Sequence, residues 1–599
     1  MTTSVTQVTI PDAGRHSPPH NPRKVDRHTM NSLYQPDLAP VADNLLLSAL
    51  VALLPLVTVF VALGLLRWKA HWAGLAALGV SLVIAILIYD MPVGLAGLSA
   101  TQGAIFGLFP IMWIVVTAIW FYELTVRSGR FLDLRAVIDR ISDDPRVQAI
   151  LVAFCFGGML EALAGFGAPL AITGVMLLAI GFSRMRAAVA VLVANTAPVA
   201  FGAIATPIIT AGALTGIDYE HIGAIVGRQT PFIALVVPLF LCLLVDGKRG
   251  VKQCWPIALV IGAVFSVTQF ISANYISVEL TDIISALSGL AAAVIMLRFW
   301  QPRGTAEARE KLLAERQLEE QEGDVQDVAG TETAAGAAGA AGTGDTSTRT
   351  LTPWRTFMAL VPYLLVIVVF SVAKLWAPAK DFLDGTDVAF EWPGLHGNVL
   401  TADGDVSSST VFNFTWLSSP GTLLLFTGIL VAIIYRVSPK VAVLAYWENL
   451  VKMRFSILTV AAVLSLAYVM NQSGQTITIG FWIAGAGAAF AFFAPVLGWL
   501  GTAVTGSDTS ANALFATLQQ TAAIQADLDP ALMVASNTSG GVGAKLVSPQ
   551  NLTIVATAVG LAGRESEILR KVMFWSLGML AALCLINGLQ ATVFDWMLP

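Results

Sequence analysis

Apolar runs of bilayer-spanning length recur along almost the whole of this sequence. Leu45 to Leu66 and Trp72 to Tyr89 are the first two, each close to the roughly 20 residues a helix needs to cross a hydrocarbon core. A single run would anchor a soluble enzyme, but this many leave little chain to face water. Only 12% of residues are charged, against about 25% in a soluble domain. The short alternating segments of an outer-membrane barrel are missing, and in lipid every backbone N–H and C=O must find its partner inside the protein. The expected fold is an all-α polytopic protein of the plasma (inner) membrane with about 12–14 transmembrane helices.

The tail before the first span, residues 1–43, contains Pro11, Pro18, Pro19 and Pro22 and no convincing cleavage site, so it reads as a disordered segment followed by a retained helix. Cys155, Cys242, Cys254 and Cys584 lie in or beside apolar segments without CxxC spacing, which argues against disulfides, zinc or an iron–sulfur cluster. His16, His20, His28, His71 and His396 show no ligand spacing, and His221 reads as a solvated loop residue. No metal and no cofactor are expected. The net charge of −5 gives no reason to expect a nucleic-acid partner.

Two polar stretches interrupt the pattern. Residues 301–352 begin charged and helix-prone and end in Ala, Gly and Thr, the composition of a flexible cytoplasmic linker. They separate membrane halves 44–300 and 353–599. Residues 380–420 are rich in Gly, Asp, Ser and Thr, with aromatics and few basic residues, as in an extracytoplasmic loop or small cap. Basic residues near span ends (Arg67 with Lys69, Lys248 with Arg249, Lys452 with Arg454) belong inside. Alternation then places both termini outside, an orientation that the basic tail (Arg15, Arg23, Lys24, Arg27) opposes.

An internal repeat narrows the function. The first half reads Ala194-Asn195-Thr196 and reaches Thr206-Pro207; the second reads Ser536-Asn537-Thr538 and reaches Ser548-Pro549 at the same spacing. Upstream of each Asn lies a Gly-punctuated turn in apolar sequence, Gly165-Phe166-Gly167 in one half and Gly506-Ser507-Asp508 in the other. Arg184 and Arg186 lie between turn and motif in the first copy, Asp527 and Asp529 in the second, so the copies are read as inverted. The repeat cores span about 104–246 and about 446–592. Opposed repeats with interrupted helices are the arrangement by which secondary transporters build a midplane site.

Interrupted helices expose half-helix dipole ends and unpaired backbone groups inside the membrane. Asn195, Thr196, Asn537 and Thr538 offer donors and acceptors there, and Gly167 and Ser507 belong to the turns. Plain interhelical bonding, worth about 0.6 kcal/mol per contact, explains either motif taken alone, and the inverted pair less readily. Ionisable groups deep in apolar sequence cost at least about 2.5 to 3.5 kcal/mol and so mark function. Glu161 and Asp508 are candidate proton carriers, and Lys545 is a candidate partner for a substrate carboxylate. The lysine serves equally as the structural ion-pair partner of either acid, and the two roles are compatible. Tyr468, in Ala467-Tyr468-Val469-Met470-Asn471-Gln472-Ser473-Gly474, is a candidate contact for a substrate hydroxyl or an interfacial aromatic. Walker A and Gly-x-Ser-x-Gly are missing, which argues against a primary pump or a serine hydrolase.

Glu161-Ala162-Leu163-Ala164-Gly165-Phe166-Gly167, Ala467 to Gly474, Gly506 to Asn512 and Ser536 to Asn551 resemble the bacterial L-lactate permease family over nearly the full membrane region. The resemblance implies proton-driven uptake of L-lactate, with D-lactate and glycolate. The Asn-Thr pair is similar, more distantly, to that of the divalent-anion/sodium symporters, which implies inverted repeats with re-entrant hairpins, a possible homodimer, and a sodium-coupled di- or tricarboxylate symporter as the alternative reading. The first copy has Ala194 where those symporters tend to carry Ser, which weakens the sodium reading.

Overall fold

A computed structural model describes residues 33–165, 167–321, 352–402 and 404–599. The tail before Leu33, with three of the histidines, and the Ala/Gly/Thr part of the linker lie outside the described residues. Among the described residues, ten helices are long and apolar enough to span a membrane and three shorter apolar helices accompany them. Strand structure there is a single two-stranded sheet. The chain is a multi-pass helical membrane protein.

Leaving aside the short helices Arg130–Asp139 and Ala377–Asp384, the helices in chain order are α1 (Leu45–Leu65), α2 (Ala70–Leu87), α3 (Val93–Arg127), α4 (Pro145–Ala164), α5 (Ala168–Ile180), α6 (Arg184–Ala194), α7 (Gly202–Thr215), α8 (Tyr219–Ile276) and α9 (Thr281–Phe299). After α10 (Thr305–Gln321) come α11 (Pro353–Leu375), α12 (Pro420–Ile434), α13 (Pro439–Gln472) and α14 (Gln475–Ala484). The chain ends with α15 (Phe490–Thr505), α16 (Asp508–Gln525), α17 (Pro530–Ala544), α18 (Pro549–Val559) and α19 (Glu565–Gln590). Helix α8 is far longer than a membrane is thick and doubles back at Asp246 and Gly247, whose backbone is non-helical.

The same order of elements occurs in both halves. Helix α4 turns at Gly165 and Gly167 into α5, and α15 turns at Gly506 into α16. Gly506 sits at φ +76, where a side chain on Cβ is strained, so the helix stops there. Ser507 then caps α16 by accepting from the Ser510 N–H at 3.3 Å. A second interrupted pair follows in each half, α6 with α7 and α17 with α18. The breaks are built differently. In the second half Lys545–Val547 form a single 3-10 turn before Ser548 caps a helix that starts on Pro549. In the first half the chain leaves helix at Asn195, and Ala203, Ile204 and Ala205 all take left-handed φ of +46 to +55, a conformation that costs L-residues roughly 1–2 kcal/mol each. Such strain persists only where surrounding packing imposes it. Here Ala203, Ile204 and Ala205 are all buried.

The remaining helices form a support. α13 packs along α2 and α3, and α12 along α3. Gly103 lets α3 lie so close to the Leu464 and Ser465 backbone that any side chain there would collide. The outward faces of α1 and α19, including Leu46, Leu50, Leu54, Phe574, Leu577 and Leu585, are exposed and apolar, as a lipid-facing surface requires.

The expected disorder of the tail does not extend to residue 43. Tyr34 is buried, its hydroxyl donates to the Ser473 carbonyl at 2.8 Å, and its backbone exchanges hydrogen bonds with Asn398 and Leu400. One aromatic residue and one backbone pairing hold a segment that its neighbouring prolines made look unstructured. The loop it joins carries the antiparallel pair β1 (Val388–Glu391) and β2 (Val411–Phe414). At the other side α10 is docked by charge: Glu315 pairs with Arg186 at 2.6 Å, Lys311 with Asp246 at 3.2 Å, and Glu307 with Arg249 at 3.0 Å.

Candidate functional site

Both helix turns and both helix breaks converge on one small cavity. It is lined by Glu161 and Gly165 of the first turn, Val199, Gly202, Ala203 and Pro207 of the first break, Gly506 to Thr509 of the second turn, and Lys545 and Gln550 of the second break. About 40 Å³ is open within it, room for a few waters.

Glu161 and Lys545 form its centre. Lys545 Nζ donates to Glu161 Oε1 as an ion pair, and Asn195 Nδ2 donates to Oε2 at 3.1 Å. Each carboxylate oxygen therefore has one donor, one from each half of the chain. Glu161 is 3% exposed and Lys545 7%. A buried pair of this kind is little better than apolar packing, but removing one partner strands the other charge.

Asp508 lies across the cavity. Its Oδ1 accepts from Thr502 Oγ1 at 3.2 Å, and its Oδ2 has no hydrogen-bond partner. Helix α17 passes beside it at Gly541, where an added Cβ would overlap both Asp508 Oδ1 and Thr502 Oγ1. Glycine is needed there for close approach. Ser507 joins this cavity to a second, larger one of about 990 Å³ lined by Arg67, Lys69, His71, Ser456, Thr505, Ser510, Gln550 and others. Gln550 also borders both spaces, so the small cavity adjoins a wide basic vestibule.

The structure brings Asn195, Glu161, Ser507, Asp508 and Lys545 together; other candidates lie elsewhere. Asn537 and Thr538 sit in unbroken helix and are taken up by Asn512: Asn537 Nδ2 and Thr538 Oγ1 reach Asn512 Oδ1 at 3.0 and 3.1 Å, and Asn512 Nδ2 lies 2.9 Å from Thr538 Oγ1. Thr196 bonds back to the Val193 carbonyl at 2.7 Å. Gly167 is packed under Ile554 of α18. Tyr468 is buried in a separate apolar cluster with its ring 5.7 Å from Phe106, outside the cavity lining. Sequence reasoning missed Asn512, Gln550 and the left-handed turn at Ala203. A polar residue in the Ser510-Ala511-Asn512 run was the available signal for Asn512.

The two halves are not chemically equivalent. Lys545 lies eight residues after Asn537, and the residue eight after Asn195 is Ala203. Glu161 lies 34 residues before Asn195, and the same step before Asn537 reaches Ala503. The first half supplies the carboxylate of the ion pair, and the second half supplies the ammonium together with the further carboxylate of Asp508.

The comparisons agree with a transporter built this way. A family model described as L-lactate permease matches residues 48–594. The L-lactate permease of Bacillus subtilis strain 168 is 40% identical over 577 residues, covering 94% of this chain and 99% of that protein. Glycolate permease GlcA of Escherichia coli K12 is 41% identical over 574 residues, covering 95% and 99%. The L-lactate permease of E. coli K12 is 38% identical over 580 residues, covering 95% and 100%. With turns, breaks and ion pair arranged as described and this match over nearly its whole length, the chain belongs to the L-lactate permease family of membrane transporters.

Proposed function

We propose that this chain is a proton-coupled symporter that takes up L-lactate, with D-lactate and glycolate as further substrates. The substrate class comes from the names of the full-length relatives, two L-lactate permeases and a glycolate permease. Proton coupling is carried by one observation: the cation suited to a monocarboxylate, Lys545, is already occupied by Glu161. A lactate carboxylate competes for the ammonium. Leaving Glu161 ionised, buried and unpaired is expensive, so lactate gains the lysine when Glu161 takes a proton. Anion and proton then bind as one event. Asp508, with one oxygen unbonded, is a second seat for a proton.

The basic vestibule supplies the direction. Arg67 and Lys69 belong on the cytoplasmic side, so the large cavity is read as the release path in an inward-facing arrangement. The substrate passes between vestibule and centre at Ser507 and Gln550, and the pieces carrying the turns and breaks move against α1, α2 and α13. A dicarboxylate carrier driven by sodium is less well supported, since Lys545 is the sole cationic side chain among the described residues of the small cavity.

Proteoliposomes with imposed gradients test the reading. An inward proton gradient should accumulate labelled lactate unchanged, and a sodium gradient at equal pH should not. Accumulation that needs sodium and ignores pH would overturn it.

A further inference from the structure

We propose that Thr509 and Gln550 read the 2-hydroxyl group of the substrate, and that through them the centre selects 2-hydroxy acids over plain short-chain carboxylates. The inference deepens the lactate reading above and rests on it.

The substrates of that reading, both lactates and glycolate, share a carboxylate and a hydroxyl on the neighbouring carbon. Lys545 suits the first. The second needs a polar partner in the same small cavity, and Tyr468, the candidate from the sequence, lies outside the lining. The two halves line that cavity differently. Among the described residues, the first half contributes Gly165, Val199, Gly202, Ala203 and Pro207 beside Glu161, so that carboxylate is its one polar side chain there. The second half contributes Ser507, Asp508, Thr509, Lys545 and Gln550. Three of these are engaged within the protein: Lys545 with Glu161, Asp508 Oδ1 with Thr502, and Ser507 Oγ with the Ser510 N–H. The side chains of Thr509 and Gln550 form no hydrogen bond among the described residues.

Local structure explains why the Thr509 hydroxyl is free. A threonine inside a helix bonds back to the carbonyl one turn earlier, as Thr505 does to Gly501 at 2.7 Å and Thr553 to Pro549 at 2.9 Å. Thr509 is buried and is the second residue of α16, directly after the non-helical turn at Gly506 and Ser507, so no preceding helical turn supplies that carbonyl. Gln550, the second residue of α18, is laid across the same turn: a Cβ added to Gly506 would come within 2.8 Å of Gln550 Oε1 and 3.0 Å of its Cβ. One turn thus carries the free hydroxyl and is covered by the free amide.

A substrate hydroxyl donates and accepts at once, and a threonine hydroxyl and a glutamine amide do the same. A bound 2-hydroxy acid satisfies them. A carboxylate without the hydroxyl displaces their water and leaves them unpaired. A site built to bond a hydroxyl rejects the analogue that lacks it far more strongly than an apolar pocket rejects a missing methyl group, which suits a carrier that takes lactate and glycolate alike.

The test measures how well unlabelled propionate, which has the carboxylate and lacks the hydroxyl, competes with labelled L-lactate for counterflow in proteoliposomes. Wild type should prefer lactate by at least ~10-fold. Thr509→Val removes the hydroxyl and keeps the branched shape; it should raise KM for lactate about 10-fold and leave the propionate inhibition constant near wild type, so that the preference collapses. Thr509→Ser should retain it. An unchanged preference in Thr509→Val overturns the proposal, and so does an equal loss of both ligands, the mark of a packing role. Where Thr509→Val fails to fold, Gln550→Leu decides by the same outcomes, since Gln550 borders the vestibule and its replacement breaks no hydrogen bond of the side chain. Wild-type protein that transports no lactate removes the functional reading itself; wild type that takes lactate and accepts propionate equally well removes this inference alone.

Discussion

Lys545, the first residue beyond α17, is ion-paired with Glu161 on α4 across 384 positions of sequence. The contact joins the two halves at the point where their interrupted helices meet. Substitution of either residue therefore tests folding and transport together.

Lys545→Met should abolish lactate counterflow and lower stability by about 3–5 kcal/mol, because Glu161 is left charged and buried. Adding Glu161→Gln should restore most of that stability without restoring counterflow. Thermal unfolding in detergent beside counterflow separates the two effects. A single Lys545 variant with wild-type affinity for lactate would remove the lysine from the site.

Gly541→Ala places a methyl group against Asp508 and Thr502. Overpacking of this kind costs about 1–3 kcal/mol, and the displaced Asp508 should reduce transport as well. Gly578, where nothing lies within 4 Å of an added Cβ, is the control position: Gly578→Ala should leave both readouts near wild type.

Asn512→Ala leaves the Asn537 amide and the Thr538 hydroxyl without their shared partner. The expected loss is about 1–3 kcal/mol of stability, with KM for lactate unchanged in the protein that folds. A change in KM without loss of stability would return Asn537 and Thr538 to the substrate site.

Arg67→Glu combined with Lys69→Glu reverses the charge of the vestibule wall. If lactate leaves or enters by that route, KM should rise several-fold at low ionic strength and the difference should shrink as salt screens it. Initial-rate measurements on inside-out vesicles at two salt concentrations check this; an effect independent of salt would contradict it.

Much of this arrangement was legible in the sequence because Gly and Pro announce where apolar helices stop. Gly165, Gly506 and Pro549 stand at real interruptions, and the acids beside them, Glu161 and Asp508, face the space those interruptions create. The motif residues were harder to place. Asn537 occurs at the right spacing, but an amide can be consumed by any neighbouring helix, and Asn512 stands 25 residues away in sequence where no pattern links the two. Tyr468 carried an interfacial signature, yet its ring is spent on packing against Phe106.

The unlike contributions of the two halves have a stereochemical consequence. Were an ammonium present in both copies, as a carboxylate is, the centre would look alike from either membrane face and a small anion could enter it either way round. With the ammonium on one side and Ala203 in the equivalent place on the other, the pocket has a head and a tail. A 2-hydroxy acid aligned by its carboxylate then offers its hydroxyl and its methyl to different walls, and its two mirror images are no longer interchangeable guests.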